Sequence, residues 1–179
     1  YRATDLGGLS DTATVSLTVT GTNDAPDAVN DSYSATEGTG VVTGSVATND
    51  SDPDAGDVLT YSVVGAAPAG LTLNLDGSWS FDTNDAAYDS LAAGASAVAT
   101  FTYQVNDGKG GTDTATVSLT VNGSNDVPVI TSGAAGVVAE NAPVSTVVYD
   151  ANATDVDAGT NLVYSLKAGS DAAAFNIDE

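Results

Sequence analysis

The sequence predicts an all-β protein built from tandem antiparallel β-sandwich repeats, each of about 100 residues. Three observations lead to this prediction. A long segment recurs 102 residues later, apolar residues alternate with threonine and serine along several stretches, and turns rich in glycine and aspartate separate those stretches. No segment carries the 3.6-residue period of an amphipathic helix.

The internal repeat predicts the domain organisation. Residues 5–26 match residues 107–128 at 15 of 22 positions, and both copies end in Asn-Asp-x-Pro. A self-match at this distance indicates an array of domain-sized units. We therefore expect residues 1–26 to be the C-terminal hairpin of a preceding repeat plus a linker, residues 27–126 to be a complete repeat, and residues 127–179 to be the N-terminal half of a following repeat.

The middle unit, residues 27–126, contains several stretches in which apolar residues occupy every second position. These are Leu59, Tyr61 and Val63; Leu71, Leu73 and Leu75; Trp79 and Phe81; Phe101, Tyr103 and Val105; and Ala115, Val117, Leu119 and Val121. This alternation predicts strands with one face toward a core and one toward water. Asp76-Gly77, between two of the stretches, predicts a two-residue hairpin turn. The segment 86–94 fits either a short helical turn or a crossover loop.

The flanking units repeat parts of this pattern. Val15, Leu17 and Val19 correspond to Val117, Leu119 and Val121, and so predict a strand before the first junction. Glu140, Asp155 and Tyr164 follow Glu37, Asp52 and Tyr61 by 103 residues. The third unit is therefore expected to begin like the middle one.

The composition excludes several classes of function. The chain has 24 acidic and three basic residues, a net charge of −21, which argues against nucleic acid or an anionic membrane as a direct partner. It indicates bound cations or a salty medium outside the cell. Cysteine and histidine are both absent, which argues against zinc, haem and thiol chemistry. No apolar run reaches the length of about 18 residues that a membrane span needs.

The acidic residues concentrate in three kinds of place. They lie in the Asp-rich loop 49–57 and its counterpart 155–161, at the junctions Asn23-Asp24 and Asn125-Asp126, and at Glu37 and Glu140 near the start of a unit. Oxygen ligands at this density suit Ca²⁺, because neighbouring carboxylates repel one another unless a cation compensates. The pattern is not an EF-hand, since Val63 occupies the place of the last glutamate. Each position also fits a plain turn or a solvated surface.

Taken together, these motifs resemble the bacterial cadherin-like repeats. The likeness rests on segments 49–54 and 88–94, the stretch 101–117 and the Asn-Asp-x-Pro junctions. The middle unit is similar to the VCBS-type repeats of large RTX-type surface adhesins, and the third unit, with Ala139-Glu-Asn141 and segment 153–161, is nearer to cadherins. The resemblance covers essentially the whole chain and implies a cadherin-like, Ig-like sandwich for each unit.

In cadherins calcium lies between successive domains, so the resemblance implies ligands by position. The second junction would use Glu37, Asn125, Asp126, Asp155 and Asp157, with Asn161 as a further candidate. The first junction would use Asn23, Asp24, Asp52 and Asp54, and Glu140 would serve a third junction. The linker has one acidic or amide position fewer than a cadherin linker, and the middle unit lacks a Leu-Asp-Arg-Glu segment. Fewer ions or weaker binding are therefore expected at each junction.

The resemblance implies a calcium-binding stalk segment of a secreted bacterial adhesin, in which Ca²⁺ at the junctions rigidifies the array for cell adhesion or biofilm formation. We expect an extracellular location on the bacterial surface, no enzymatic activity and no membrane insertion. The expected partners are neighbouring repeats, cell-surface glycans or matrix, and other copies joined head to tail through the incomplete terminal units. The alternative is a carbohydrate- or protein-binding module, which an outer aromatic patch would favour and an inward-facing Trp79 would not.

Overall fold

The computed structural model describes residues 1–169, 174, 176 and 177. Its strands in chain order are β1 (Arg2–Thr4), β2 (Ser10–Thr12), β3 (Asp31–Thr36), β4 (Val41–Ser45), β5 (Thr60–Val64), β6 (Leu71–Leu73), β7 (Ser78–Asp82), β8 (Ser96–Asn106), β9 (Thr112–Asn122), β10 (Val129–Ile130) and β11 (Ala153–Thr154). Most of these strands belong to the middle unit. The all-β class predicted from the alternation is confirmed.

The middle unit is a sandwich of two sheets. One sheet has four strands in the order β3-β9-β8-β5, and the other has three in the order β4-β7-β6. Neighbouring strands are antiparallel except β3 and β9, which pair in parallel from Asp31↔Val117 to Thr36↔Asn122. Because these two strands run in the same direction, the residues that follow them lie at the same end of the sheet.

The core of the sandwich comes from the alternating apolar residues of both sheets. Every second residue of β8 and β9 is buried, from Ala99 to Val105 and from Ala115 to Val121. Trp79 and Phe81 face them from the three-stranded sheet, with exposed fractions of 5% and 0%. Burial of a large apolar side chain stabilises the fold by roughly 1.5–3 kcal/mol. The predicted inward faces of these strands are therefore the core.

The connection between β6 and β7 differs from the predicted two-residue turn. Gly77 N donates to Asn74 O at 3.0 Å and Asn74 N donates to Ser78 O at 2.8 Å, so three residues lie between the paired Asn74 and Ser78. Gly77 has a left-handed φ of 81°, which suits the last position of a three-residue hairpin loop. Leu75 consequently lies in the loop and is exposed, although its spacing from Leu71 and Leu73 predicts a strand position.

The connection between β7 and β8, residues 83–95, is a series of turns without a helix. Tyr88 lies in it and is buried against Phe81, with ring centroids 5.3 Å apart. A 3-10 turn, Val46–Thr48, is the helical element of the middle unit. Among the described residues, no helix combines the length and the apolar character needed to cross a membrane.

The flanking units are much less regular. Strands β1 and β2 form a short antiparallel hairpin. Residues 13–26 form no strand, and Val15, Leu17 and Val19, which the sequence predicts in a strand, are exposed. In the third unit the paired strands are β10 and β11, with the register Val129↔Thr154.

Candidate metal centres

Each junction is built in the same way. At the first, Asn23 Nδ2 donates to Asp24 O at 3.0 Å, and at the second, Asn125 Nδ2 donates to Asp126 O at 2.7 Å. In both linkers the asparagine side chain thus bonds the backbone of the aspartate that follows it. Within the sequence repeat, the Asn-Asp linkers therefore also repeat in local structure.

Each linker is also fixed to the Asp-rich loop that follows it. Asp24 N donates to Asp54 Oδ2 at 2.8 Å, and Asp126 N donates to Asp157 Oδ2 at 3.0 Å. Within the loops, Asp54 N donates to Asp52 Oδ1 at 2.8 Å. Asp157 N donates to Asp155 Oδ1 at 2.9 Å in the same way. The first aspartate of each loop therefore shapes the turn, and the second receives the linker.

At the second junction three carboxylates converge. Glu37, Asp126 and Asp157, which we call the junction cluster, each offer one oxygen within 4.8 Å of the others. The parallel pairing of β3 and β9 explains this meeting, because Glu37 directly follows β3 and the linker directly follows β9. Glu37 Oε1 also accepts from Ser124 N at 2.7 Å. The cluster therefore contains one side chain from the middle unit, one from the linker and one from the third unit.

The junction cluster lies at a cleft between the middle unit and the third unit. The cleft is lined by Glu37, Gly38, Asn84, Asp89, Asp126 and Val156. Ala158 N donates to Ser90 O at 3.1 Å, which joins the two units beside the cleft. Asn84 and Asp89, which belong to none of the Asp-rich motifs of the sequence, add oxygen atoms to its wall.

A second group of carboxylates lies at the other end of the middle unit. Asp52, Asp57 and Asp107, which we call the loop cluster, also meet within 4.8 Å. Asp107 is 4% exposed and its Oδ1 accepts from the backbone N–H groups of Lys109, Gly110 and Gly111 at 2.7, 3.0 and 3.0 Å. Asn23 Nδ2 donates to Asp107 Oδ2 at 2.7 Å. This hydrogen bond and the backbone donors lower the pKa of Asp107, which keeps a negative charge in the cluster.

Both clusters contain buried oxygen atoms without a hydrogen-bond donor. They are Glu37 Oε2, Asp157 Oδ1, Asp52 Oδ2 and Asp57 Oδ2. Burial of an ionised oxygen without a partner is unfavourable, and neighbouring carboxylates repel one another. A hard divalent cation with oxygen ligands compensates both effects. The donor atoms present therefore fit Ca²⁺, with Glu37, Asp126 and Asp157 in one cluster and Asp52, Asp57 and Asp107 in the other.

The structure brings together some of the residues selected from the sequence and leaves others apart. Four of them, Glu37, Asp52, Asp126 and Asp157, are in the two clusters. Asn23, Asp24, Asp54, Asn125 and Asp155 hold the linkers and loops through the hydrogen bonds described above. Glu140 and Asn161 are exposed and lie outside both clusters.

Two members of the loop cluster, Asp57 and Asp107, are not among the ligands that the sequence predicts. Asp57 is the last residue of the Asp-rich loop 49–57 and shows no regular spacing to Asp52 and Asp54. Asp107 lies in the loop between β8 and β9, where Asp-Gly reads as an ordinary turn. The recurrence of Asp107 at Asp5, 102 residues earlier, was the one available signal for it.

Several solved structures are similar to the chain at low identity. Human CDH23 EC21-23 has 20% identity and a TM-score of 0.48, and covers 78% of this chain and 47% of that chain. Drosophila N-cadherin EC1-4 has 22% identity and a TM-score of 0.44, covering 74% and 33%. A SusE-like surface-located polysaccharide-binding protein from the Bacteroides thetaiotaomicron heparin utilisation locus has 17% identity and a TM-score of 0.36, covering 55% and 15%. The chain thus spans less than half the length of each.

No curated protein matches the chain. The model of the bacterial cadherin-like domain matches residues 23–123. This match begins at the first linker asparagine, includes both sheets of the sandwich and ends just before the second linker. It covers more than half of the chain, which therefore belongs to the bacterial cadherin-like domain family.

Proposed function

We propose that this chain is a calcium-binding structural segment of a secreted bacterial adhesin, in which Ca²⁺ at the junctions between repeats stiffens the array. The observation that carries the proposal is the junction cluster. Glu37 and Asp157 are 3% and 5% exposed, yet Glu37 Oε2 and Asp157 Oδ1 have no hydrogen-bond donor. Such atoms need a positive partner.

Stiffening follows from where the three side chains originate. Glu37, Asp126 and Asp157 belong to two successive units and the linker between them, so an ion that all three bind favours one arrangement of the units. Binding to this arrangement alone stabilises it by RT ln(1 + [Ca²⁺]/Kd), about 2.7 kcal/mol at a hundredfold excess over Kd. The ion also removes the repulsion among the three carboxylates.

The cellular setting is part of the same proposal. Family membership and the net charge of −21 support a bacterial surface protein in a medium that contains divalent cations. We infer that the segment extends an adhesin of the RTX type, with VCBS-type repeats, for cell adhesion or biofilm formation. Bacterial cadherin-like domains are not enzymes as a kind, and we expect no catalysis by this chain.

The alternative of a carbohydrate-binding module gains no support from the aromatic residues. Trp79 is buried and packs edge-on against Tyr33 with ring centroids 4.8 Å apart. Among the described residues, the exposed aromatic side chains are Tyr1 and Tyr149, both outside the middle unit. An outer aromatic face, which stacking on sugars would use, is not formed by the sandwich.

The partners that we propose are the neighbouring repeats, with self-association as a second kind of contact. Val15, Leu17 and Val19 alternate along the chain and are 63%, 87% and 92% exposed, so one apolar face of this stretch is open to another strand. Strand addition from a second copy would cover this face. Light scattering across a range of protein concentrations tests this: a rise in mean mass is expected, and a strict monomer at high concentration would contradict it.

The calcium proposal is tested by calorimetric titration of the full chain, paired with small-angle X-ray scattering in calcium and in chelator. We expect saturable binding and a larger maximum dimension in calcium. Asp157→Asn should abolish binding at the junction cluster, whereas Asp150→Asn, which removes the same charge from an exposed residue of the same unit, should not. Absence of binding at millimolar calcium, or equal losses in the two variants, would overturn the proposal.

A further inference from the structure

The loop cluster contains a lysine as well as three carboxylates. Lys109 Nζ forms a salt bridge and hydrogen bond with Asp57 Oδ1. The Asp57 side chain is 1% exposed, whereas that of Lys109 is 56% exposed. The amino group is therefore placed at the boundary between the buried carboxylate and the solvent.

Lys109 also helps to shape the cluster through its backbone. Its N–H donates to Asp107 Oδ1 at 2.7 Å, while its side chain reaches Asp57. Gly108 and Gly110 on either side have left-handed φ values of 75° and 111°, which allow the tight loop that orients both groups. A single residue thus contacts two of the three carboxylates by two different groups.

The ammonium group compensates only part of the negative charge. A lysine side chain ordinarily carries a positive charge at neutral pH, and that of Lys109 lies against Asp57. Asp57 Oδ2 and Asp52 Oδ2 are nevertheless buried without a donor. One positive charge therefore serves three carboxylates, and the cluster can still accept a stronger cation.

The junction cluster has no comparable group. Its members are Glu37, Asp126 and Asp157, and the described residues contain no salt bridge other than that between Lys109 and Asp57. The two clusters therefore differ in a property that governs cation affinity, the presence of a competing positive charge.

We propose that Lys109 is an internal counter-ion of the loop cluster, which holds Asp57 when calcium is absent and competes with Ca²⁺ for it, and so sets the calcium affinity of this cluster. The inference rests on the proposed function, since it concerns a ligand of the same kind. When calcium binds, the Asp57 carboxylate binds the ion in place of the Lys109 amino group, and the Lys109 side chain moves into the adjacent solvent.

The inference predicts opposite effects of removing the lysine charge in the two conditions. In chelator, Lys109→Gln leaves Asp57 without its cation, and the melting temperature should fall by about 4 °C. In calcium, the same variant removes a repulsive charge near the ion, and Kd at the loop cluster should fall about tenfold. If Lys109 had a purely structural role, Lys109→Gln would lower the stability of the protein both in chelator and in calcium.

The experiment is a calorimetric calcium titration and a thermal melt of the full chain carrying Glu37→Gln, so that the loop cluster is observed without the junction cluster. In this background, Lys109→Gln is compared with Lys109→Arg, which retains the charge and is expected to keep Kd within about twofold. Binding that appears only in Lys109→Gln would support the inference as strongly as a lowered Kd.

Calcium binding that is unchanged or weaker in Lys109→Gln than in the chain with Lys109 overturns the inference. So does the absence of calcium binding in both of these proteins. The proposed function is judged separately, from the chain with Glu37 intact. Calcium binding there that is sensitive to Asp157→Asn supports the stalk proposal whatever Lys109 does, and its absence refutes that proposal even if Lys109→Gln binds calcium at the loop cluster.

Discussion

At the level of single residues, the core leaves no room beside Trp79. Gly44 lies opposite Trp79 in the pairing of β4 with β7, and a Cβ at Gly44 would lie 2.4 Å from Trp79 Cζ2. Real Cβ atoms do not approach so closely, and the indole is fixed by the core around it. Gly44 does not have a left-handed φ, so its backbone conformation does not require glycine. Glycine is needed here because a larger residue would overlap with Trp79.

We expect Gly44→Ala to destabilise the protein by about 1–3 kcal/mol, the usual cost of an extra methyl group in a packed core. The free energy of unfolding from urea titration measures this. Gly21→Ala is the matched control, because a Cβ there meets nothing within 4 Å. Equal stability of the two variants would show that Trp79 moves aside without cost.

Asp113 gives a prediction about pH. Its Oδ2 accepts from Ala28 N at 2.9 Å and its Oδ1 from Thr114 N at 2.8 Å, and these hydrogen bonds, that from Ala28 foremost, lower the pKa of the carboxyl from 3.8. A carboxyl whose pKa is lower in the folded state stabilises above its unfolded pKa, and this contribution is lost as pH falls through the folded value.

Asp113→Asn should therefore reduce the free energy of unfolding at pH 7 and have little effect near pH 2. Urea titrations at both values, in chelator, measure the difference. Asp150→Asn, at an exposed site, serves as the reference at each pH. A loss of unfolding free energy of the same size at pH 2 would mean that the charge of Asp113 is not what stabilises its hydrogen bond with Ala28.

At the level of elements, the first linker packs against the loop between β8 and β9 at Gly111. A Cβ on this residue would lie 2.3 Å from Asp107 Oδ2, 2.9 Å from Ala25 Cα and 3.1 Å from Asp24 O. Gly123, at the other end of β9, is crowded in the same manner, with Leu91 O at 2.2 Å. The two glycines differ in that only Gly111 touches the loop cluster.

Gly111→Ala should weaken calcium binding at the loop cluster at least tenfold, because the linker and Asp107 must move apart. Gly123→Ala should lower the melting temperature without changing this affinity, which separates a loss of stability from a loss of the site. Calorimetry of the two variants, each also carrying Glu37→Gln, measures the loop cluster alone. Equal calcium affinities in the two variants would contradict the proposal that Gly111 allows the first linker to pack against the loop of Asp107.

The strands show how much of the fold the sequence predicts. Strands β8 and β9 follow the alternation closely, because each has one face in the core and neighbours on both sides. Residues 13–20 have the same alternation but lack the neighbours that β9 has in β3 and β8, and they form no strand. Alternation thus predicts which face is buried, whereas pairing decides whether a strand forms.

The candidate sites show a similar limit. Glu37, Asp126 and Asp157 were selected because the repeat and the family resemblance marked their positions, and the parallel pairing of β3 with β9 brings them together. Asp107 meets Asp52 and Asp57 only because the loop between β8 and β9 and the Asp-rich loop 49–57 converge at one end of the sheets. A proximity of this kind depends on tertiary structure and leaves no regular spacing in a single sequence.

For the whole molecule, the two clusters lie at opposite ends of the middle unit. Asp107 precedes β9 and the junction cluster follows it, so the 11 residues of this strand separate them, a span of about 35 Å. At this distance salt screens direct repulsion between the clusters. The two sites should therefore bind cations independently, and each should act on its own linker.

Hydrogen exchange can follow this local action in the intact chain. Ser124 N donates to Glu37 Oε1 and Asp126 N donates to Asp157 Oδ2, so the amide hydrogens of both linker residues are protected only while the junction cluster is assembled. In chelator, repulsion among the carboxylates should open this linker and speed exchange at both amides. Amides in the paired region of β8 and β9 should stay protected, because the core and not the ion holds them.

We therefore expect calcium to slow exchange at Ser124 and Asp126 at least tenfold while leaving β8 and β9 unchanged. Asp157→Asn should remove the calcium effect at Ser124 and Asp126, and Asp150→Asn should keep it. If calcium instead slowed exchange throughout the middle unit, the ion would stabilise the sandwich as a whole. If it slowed neither amide, the linker would be held without the ion, and a stalk stiffened by calcium at this junction would be ruled out.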